Sequence, residues 1–439
     1  MTKALVLGGG GSKGAYEIGV WKALDELNEH FDLICGTSIG AMNGVLYVQH
    51  DYDVAVDLWN RIRVDDIMKN GVNFEANLDM LVQQKDKYGT FLNSFVQHKG
   101  ADIQPFIDTV TPLFNPDAFF QSEIDYACMM VNVTQRKPWP MTKAQMTKDN
   151  VIDYVMASGS CFPAFPMKEI NGELFIDGGY HDNVPIQLAR DLHATQIVAV
   201  DLNADSDHEG QHDEDVIYIK PHVTLGSFLY FENQRIERNM ELGYQDTMKK
   251  YHQLLGSIYT FALFEKETLM KLNKGLEDTI TLLNEYLQQD EKTHTIVEKL
   301  VNYRVGKGVA EVQQEDLPYV ALLEQVAYLL ELSDVGIWRL DEFMRTLLER
   351  ANAHESMSKL RREGNLSMTE VFLRLSDASE LELICFVYQY MKETTLSDQE
   401  RLNNLKVMSV IMNDSFLKAT MLYALDKFQE AASKPIETL

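Results

Sequence analysis

The chain has 439 residues, 45% of them hydrophobic and 24% charged, enough for a large core and two or three domains. Its net charge of −26 excludes nucleic acid as a main partner, because phosphate binding needs a basic footprint, and it disfavours broad adsorption to anionic membranes. Four scattered cysteines, at 35, 128, 161 and 385, form no C-x-x-C pair, which argues against a disulfide framework or a zinc site and predicts reduced thiols in a cytosolic protein.

No basic segment followed by an apolar stretch and a small-residue cleavage site opens the chain, so no secretory leader is expected. Residues 3–8 read as a buried strand, and residues 15–28 as a helix with Ile18, Val20, Trp21, Leu24 and Leu27 at helical spacing. Residues 31–36 form the next strand signal, and 39–50 and 53–70 the next two helices. The span 71–122 is mixed and broken by Pro105, Pro112 and Pro116. Residues 127–133 are strand-like, and 150–158 read as a short helix capped by Asn150. Short apolar runs at 174–176, 196–202 and 216–219 complete the set. Strands alternating with helices predict an α/β domain with a mostly parallel sheet covered on both faces.

Residues 205–215 hold six acids and two histidines, which read as a solvated loop rather than a cation site. From about 222 the character changes to helical periodicity, at 269–287, 319–330, 335–348, 369–391 and 397–425. This predicts two domains, 1–250 and an all-helical 251–439 whose role is not legible. No stretch is long and apolar enough to predict a transmembrane helix.

Three patches carry chemistry. Gly36-Thr37-Ser38-Ile39-Gly40 follows the second strand and opens the second helix, the layout of a nucleophile elbow that pushes the Ser38 hydroxyl out over the sheet edge. Gly8-Gly9-Gly10-Gly11-Ser12-Lys13-Gly14 follows the first strand and presents bare backbone N–H groups, suited to a phosphate or to the oxyanion of an acyl transfer. Asp177-Gly178-Gly179 follows the apolar run Leu174-Phe175-Ile176, and an aspartate at such a strand end can act as the base for a serine. Each patch also has an ordinary reading: Ser38 as a helix N-cap, Asp177 as a turn aspartate. The glycine loop fits neither alternative phosphate fingerprint. The second strand ends in Cys35-Gly36-Thr37-Ser38, without the acid a dinucleotide site requires, and Lys13 does not follow a glycine as a Walker A motif demands.

Taken together, the patches point to Ser38 as nucleophile, Asp177 as general base, and an oxyanion hole drawn from Gly9, Gly10, Gly11 and Ile39, with Gly10 and Gly11 foremost. A free aspartate, with a pKa near 3.9, is a weak base, and burial would improve it. No histidine is clearly placed for a triad. His193, His208, His212 and His222 are candidates by position alone, and His181, near Asp177, reads more simply as a loop residue, so a two-residue Ser/Asp machine is the economical reading. The apolar residues of 65–120, Phe74, Leu78, Met80, Leu81, Phe91, Leu92, Phe95 and Phe106, read as a cover over the cleft or, for most of them, as ordinary core.

These motifs resemble the patatin-like phospholipase family, whose pattern is a G-G-G-x-[RK]-G loop, then G-x-S-x-G, then D-G-[GA]. This chain supplies Gly9 to Gly14 with Lys13 as the basic residue, Gly36 to Gly40, and Asp177-Gly178-Gly179. Two further segments look alike: Ala157-Ser158-Gly159-Ser160-Cys161-Phe162-Pro163, and the stretch from Asp177 through Asn183 and Pro185. The resemblance spans roughly residues 3–250. It implies a three-layer α/β/α domain, a Ser38/Asp177 dyad, an acyl-enzyme, a lipid acyl-ester substrate, and no calcium, other metal or cofactor. Lys13 stands where arginine is commoner, keeping the charge but losing the planar fork. The expected setting is cytoplasmic with transient contact at a membrane surface. Two other readings stay open: an acyltransferase or thioesterase, and a lipid-binding scaffold without turnover.

Overall fold

The computed structural model describes residues 1–67, 103–287, 318–354, 378–395 and 398–433. It separates into two compact units, Met1–Tyr251 and His252–Leu439.

The first unit is built on one eight-stranded sheet. Its strands are β1 (Thr2–Leu7), β2 (Leu33–Thr37), β3 (Asp125–Asn132), β4 (Lys137–Thr142), β5 (Lys168–Ile170), β6 (Glu173–Asp177), β7 (Ala194–Val200) and β8 (Val216–Ile219). The central run β3-β2-β1-β7-β8 is parallel throughout. Strands buried on both faces read as continuous apolar runs, which is why β1, β2 and β7 were legible in the chain. Along β1, Ala4 and Val6 share one core with Leu33, Cys35, Ile197 and Ala199, packed against the helix Ile186–Asp191. Alternate side chains point the other way. There helix α2 (Ile39–Val48) lies so close that a Cβ on Gly44 would stand 3.0 Å from Ile34 Cγ2 and 3.8 Å from Leu7 Cδ1. Helix, sheet and helix make the three layers. Helix α1 (Ala15–Glu26) pairs with the long helix Asn233–Lys250 through two glycines. A Cβ on Gly19 would sit 1.7 Å from Met240 O, and one on Gly243 would sit 1.9 Å from Tyr16 O.

Three strands depart from the parallel pattern, and they position the site. β3 is longer than β2. Its residues 125–129 pair with β2, while 127–132 pair antiparallel with β4 on the opposite edge. Where β2 ends, β6 takes over the vacated edge of β3 and runs antiparallel. Thr37 is in register with Met129 and Asp177 with Met130, so the end of β6 abuts the end of β2. β4 and β5 were not predicted. β4 carries Pro138 and Pro140, and as an edge strand paired with β3 it tolerates their missing N–H donors. β5 has only three residues.

Smaller differences have local causes. Asn150 stands at the N-cap of the helix Val151–Ser158, but its Oδ1 accepts from Thr147 N–H at 2.7 Å instead of capping the helix. Residues 222–232 form a loop, not the start of the helical tail. Helix α3 (Tyr52–Arg61) stops before the turn Val64–Asp66. In the acidic run, Asp213 and Asp215 pair with Arg190, and no cluster fit to hold a metal ion occurs among the described residues.

The second unit has its own core, in which Leu276, Leu323, Phe343, Val387 and Leu422 are fully buried. It is helical, through Lys266–Leu287, Pro318–Leu329, Leu340–Ala353, Glu380–Glu393, Gln399–Ile411 and Asn413–Ser433. The exception is a two-residue parallel ladder, β9 (Thr260–Phe261) with β10 (Ile337–Trp338). The single helix expected at 397–425 is two, divided at Met412. Part of the helix expected at 369–391 lies outside the described residues, as do Phe74, Leu78, Met80, Leu81, Phe91, Leu92 and Phe95. Among the described residues no helix is long and apolar enough to cross a membrane.

Candidate active site

Ser38 sits between β2 and α2 with φ 56° and ψ −121°, a left-handed conformation that a non-glycine residue adopts only when its surroundings compel it. The flanking glycines explain how. A Cβ on Gly36 would stand 2.5 Å from Ala41 N, and one on Gly40 would stand 2.4 Å from Leu7 O. Both contacts are backbone, so only glycine lets strand and helix approach closely enough for the bend. The ordinary N-cap reading fails, because the Ser38 side chain makes no capping bond to α2. Instead its Oγ donates to Asp177 Oδ2 at 2.6 Å.

The elbow is held from beneath. Ser38 N–H donates to Ser158 Oγ at 2.9 Å, and Ser158 Oγ donates to Met129 O at 2.6 Å. Thr37 Oγ1 donates to the Asp182 carbonyl at 3.0 Å. Ser158 had no assigned role in the sequence reading, although the Ala157-Ser158 segment belongs to one of the resemblances.

Asp177 ends β6. Its Oδ1 accepts from Gly179 N–H at 2.7 Å, closing the turn that its ordinary reading expects, and its Oδ2 faces Ser38. The residue is only 6% exposed. Burial pushes its pKa up to about 6, against the opposing pull of the hydrogen bonds from Ser38 and Gly179. Gly178 is forced by contact: a Cβ there would lie 2.2 Å from Met129 O.

The glycine loop lies against the elbow, so that a Cβ on Gly9 would be 3.2 Å from Ser38 Cβ. Gly9 itself is corrected as an oxyanion donor. Its N–H is spent on the Asn183 carbonyl at 3.0 Å, while Asn183 Nδ2 donates back to Gly9 O at 3.1 Å. Asn183 thereby clamps the glycine loop to the segment that carries Asp177. The N–H groups of Gly10, Gly11 and Ile39 have no acceptor among the described residues, and all three residues line the cavity above Ser38. Lys13 and Gly14 lie in the short turn that joins the loop to α1.

That cavity measures about 320 Å³, within the range of small-molecule sites. Ser38, Asp177, Asn183 and the glycine loop form its polar floor, and Ile39, Met42, Ile62, Ile67, Phe106, Ala164 and Phe165 form apolar walls. Phe228, Leu229 and Phe231 complete it from the loop after β8. Ser12 anchors this loop, its N–H donating to Phe228 O at 2.7 Å and its Oγ to Ser227 O at 2.9 Å. These three residues went unnoticed in the sequence, because nothing local marks them. Phe106 is the one residue of the expected apolar cover that the description reaches, and it does line the cavity.

Among the described residues no histidine lines the cavity. His208 Nε2 is 3.9 Å from Asp182 Oδ1, and His222 Nδ1 is 3.3 Å from Asp246 Oδ1, and neither ring lines the cavity. Cys161 lines the wall, but burial pushes its thiol up to about 11, which keeps it protonated and poorly nucleophilic at neutral pH. The arrangement offers a serine hydroxyl bonded directly to a buried carboxylate, a set of open amides and a greasy chamber.

Residues 5–190 match the family model described as patatin-like phospholipase. Patatin-like phospholipase domain-containing protein 6 of Mus musculus is 31% identical over 205 residues, which make up 46% of this chain and 14% of that protein. Lysophospholipase nte1 of Aspergillus terreus is 29% identical over 215 residues, 47% of this chain and 12% of that protein. The chain therefore matches only a small part of the length of these curated relatives. Among solved structures, VipD from Legionella pneumophila aligns over 100% of this chain and 92% of its own at 14% identity, with a TM-score of 0.36.

Proposed function

We propose that this chain, whose residues 5–190 belong to the patatin-like phospholipase family, is a serine acyl hydrolase that cleaves fatty-acyl esters of phospholipids or related lipids. The observation that carries the reading is the 2.6 Å bond from Ser38 Oγ to Asp177 Oδ2 at the floor of an apolar cavity. In this reading Asp177 takes the hydroxyl proton as Ser38 Oγ attacks the ester carbonyl. A carboxylate whose pKa is about 6 is a better proton acceptor than a solvated one, yet it is still ionised at neutral pH. The amides of Gly10 and Gly11, with that of Ile39, receive the oxyanion, where the loss of one donor typically costs about 2.7–4 kcal/mol. The tetrahedral intermediate collapses as Asp177 returns the proton to the leaving alcohol. Water, deprotonated by the same carboxylate, then attacks the acyl-enzyme and releases the fatty acid. The apolar walls hold the acyl chain and exclude bulk water from the carboxylate. Because the substrate resides in bilayers, the enzyme works in transient contact with a membrane surface.

The test is hydrolysis of p-nitrophenyl esters and of phosphatidylcholine and lysophosphatidylcholine vesicles by the wild type and Ser38→Ala. The variant should keep its circular dichroism and lose at least about 10³-fold in kcat/KM. A Ser38→Ala protein that hydrolyses these esters at the wild-type rate rules the reading out.

A further inference from the structure

Behind the cavity that holds Ser38 lies a second, smaller void of about 20 Å³, lined wholly by apolar side chains. Met42 borders both. It lies four residues after Ser38 on α2, hence one turn along the same helix face, and is 8% exposed. The two spaces are related by more than one shared residue. On α3 and its end, Ile62 lines the large cavity and Leu58, one turn back, lines the void. On the helix Gln104–Val110, Phe106 and Val110 divide in the same way. The helix Val151–Ser158 gives Met156 to the void, and Gly159 just beyond it gives to the cavity. Four segments thus each step by about one helical turn from one space to the next. Two run away from Ser38 and two run towards it. The result is a single apolar seam between them, interrupted at Met42.

We infer that Met42 is a specificity-determining residue: its side chain closes the seam and sets how far an acyl chain bound at Ser38 can extend. The inference rests on the hydrolase reading above. A chain esterified to Ser38 Oγ and laid along α2 meets the Met42 side chain after one turn. Methionine suits such a stop, since it is unbranched and fills irregular gaps. Truncating it vacates three heavy atoms and joins the void to the cavity, which leaves room for about two further methylenes, each worth about fourfold in binding when buried.

The experiment compares kcat/KM for p-nitrophenyl esters from butyrate to palmitate in the wild type, Met42→Ala and Met42→Phe, with a fluorophosphonate probe to count competent Ser38 in each preparation. For Met42→Ala the optimum should move to longer chains, and the ratio of long-chain to medium-chain kcat/KM should rise about tenfold. Met42→Phe should move the optimum to shorter chains, and it carries the test should the alanine variant fold poorly. Unchanged chain-length profiles in variants whose Ser38 still labels would overturn the inference and leave the hydrolase reading standing. A wild type that neither labels at Ser38 nor turns over any ester overturns both.

Discussion

The position of Asp177 makes the pH–rate profile a quantitative test. An aspartate in water titrates near 3.9, whereas burial in the cavity floor pushes Asp177 up to about 6. The carboxyl must be ionised to accept the Ser38 proton. On a pKa of about 6 the competent fraction is about a tenth at pH 5, one half at pH 6 and about nine-tenths at pH 7. An uncharged p-nitrophenyl ester has no ionisation of its own in this window, so its kcat/KM reports the free enzyme. It should rise about tenfold between pH 5 and pH 7 and then level. A solvated aspartate would already be almost fully ionised at pH 5, giving a flat profile. A flat profile in a protein that stays folded would refute the placement of a buried, raised carboxyl at the reacting hydroxyl. The same shift has a stability consequence of the opposite sense. Folding favours protonated Asp177, so its contribution is fully present below the unfolded pKa and is lost as pH rises from about 4 to about 6, by about 3 kcal/mol in total. Asp177→Asn cannot titrate. Its stability relative to wild type in urea titrations should therefore improve over that window and stay level above it, while its esterase activity falls.

Other outcomes follow from the same contacts. Gly40→Ala would normally stabilise a helix by about 1 kcal/mol, but the new Cβ would sit 2.4 Å from Leu7 O. The steric term wins, and denaturant melts should show a net loss of about 1–3 kcal/mol together with lost activity. Asn183→Ala removes the 3.1 Å bond to Gly9 O. Stability should fall by about 1 kcal/mol, and kcat should fall more than KM changes, because the open amides of the loop lose their register. Glu17, buried beneath α2 with its Oε2 accepting from Asn43 Nδ2 at 2.7 Å, has its pKa pushed up to about 8 by burial. Its stabilising share is lost as pH climbs from the unfolded value towards about 8, so Glu17→Gln should gain on the wild type over that range in thermal melts and stop gaining above it.

The parts of the site that could be read in the chain are those whose cause is local. Gly36 and Gly40 are required by contacts within a few residues and with β1, and they leave a spaced pattern. The strands β1, β2 and β7 are apolar because both faces are covered, and that too is written in order. The meeting of Ser38 and Asp177 is not local. It arises because β3 outruns β2 and β6 fills the remaining edge, a pairing that no spacing reveals. Gly9 looked like a donor because glycine amides are accessible in principle, and only the fold shows Asn183 occupying that one. β4 was hidden by prolines that an edge strand accommodates. Phe228, Leu229 and Phe231 come to the cavity on a loop that Ser12 anchors from more than two hundred residues away in the chain.

The central claim, that Ser38 is the nucleophile and Asp177 drives it, is read most directly by treating the intact protein with a fluorophosphonate and locating the adduct by mass spectrometry. The account predicts one adduct, on the peptide containing Ser38, formed far more slowly in Asp177→Asn. An unmodified Ser38 in a preparation that still hydrolyses esters, or labelling of Asp177→Asn at the wild-type rate, would contradict it.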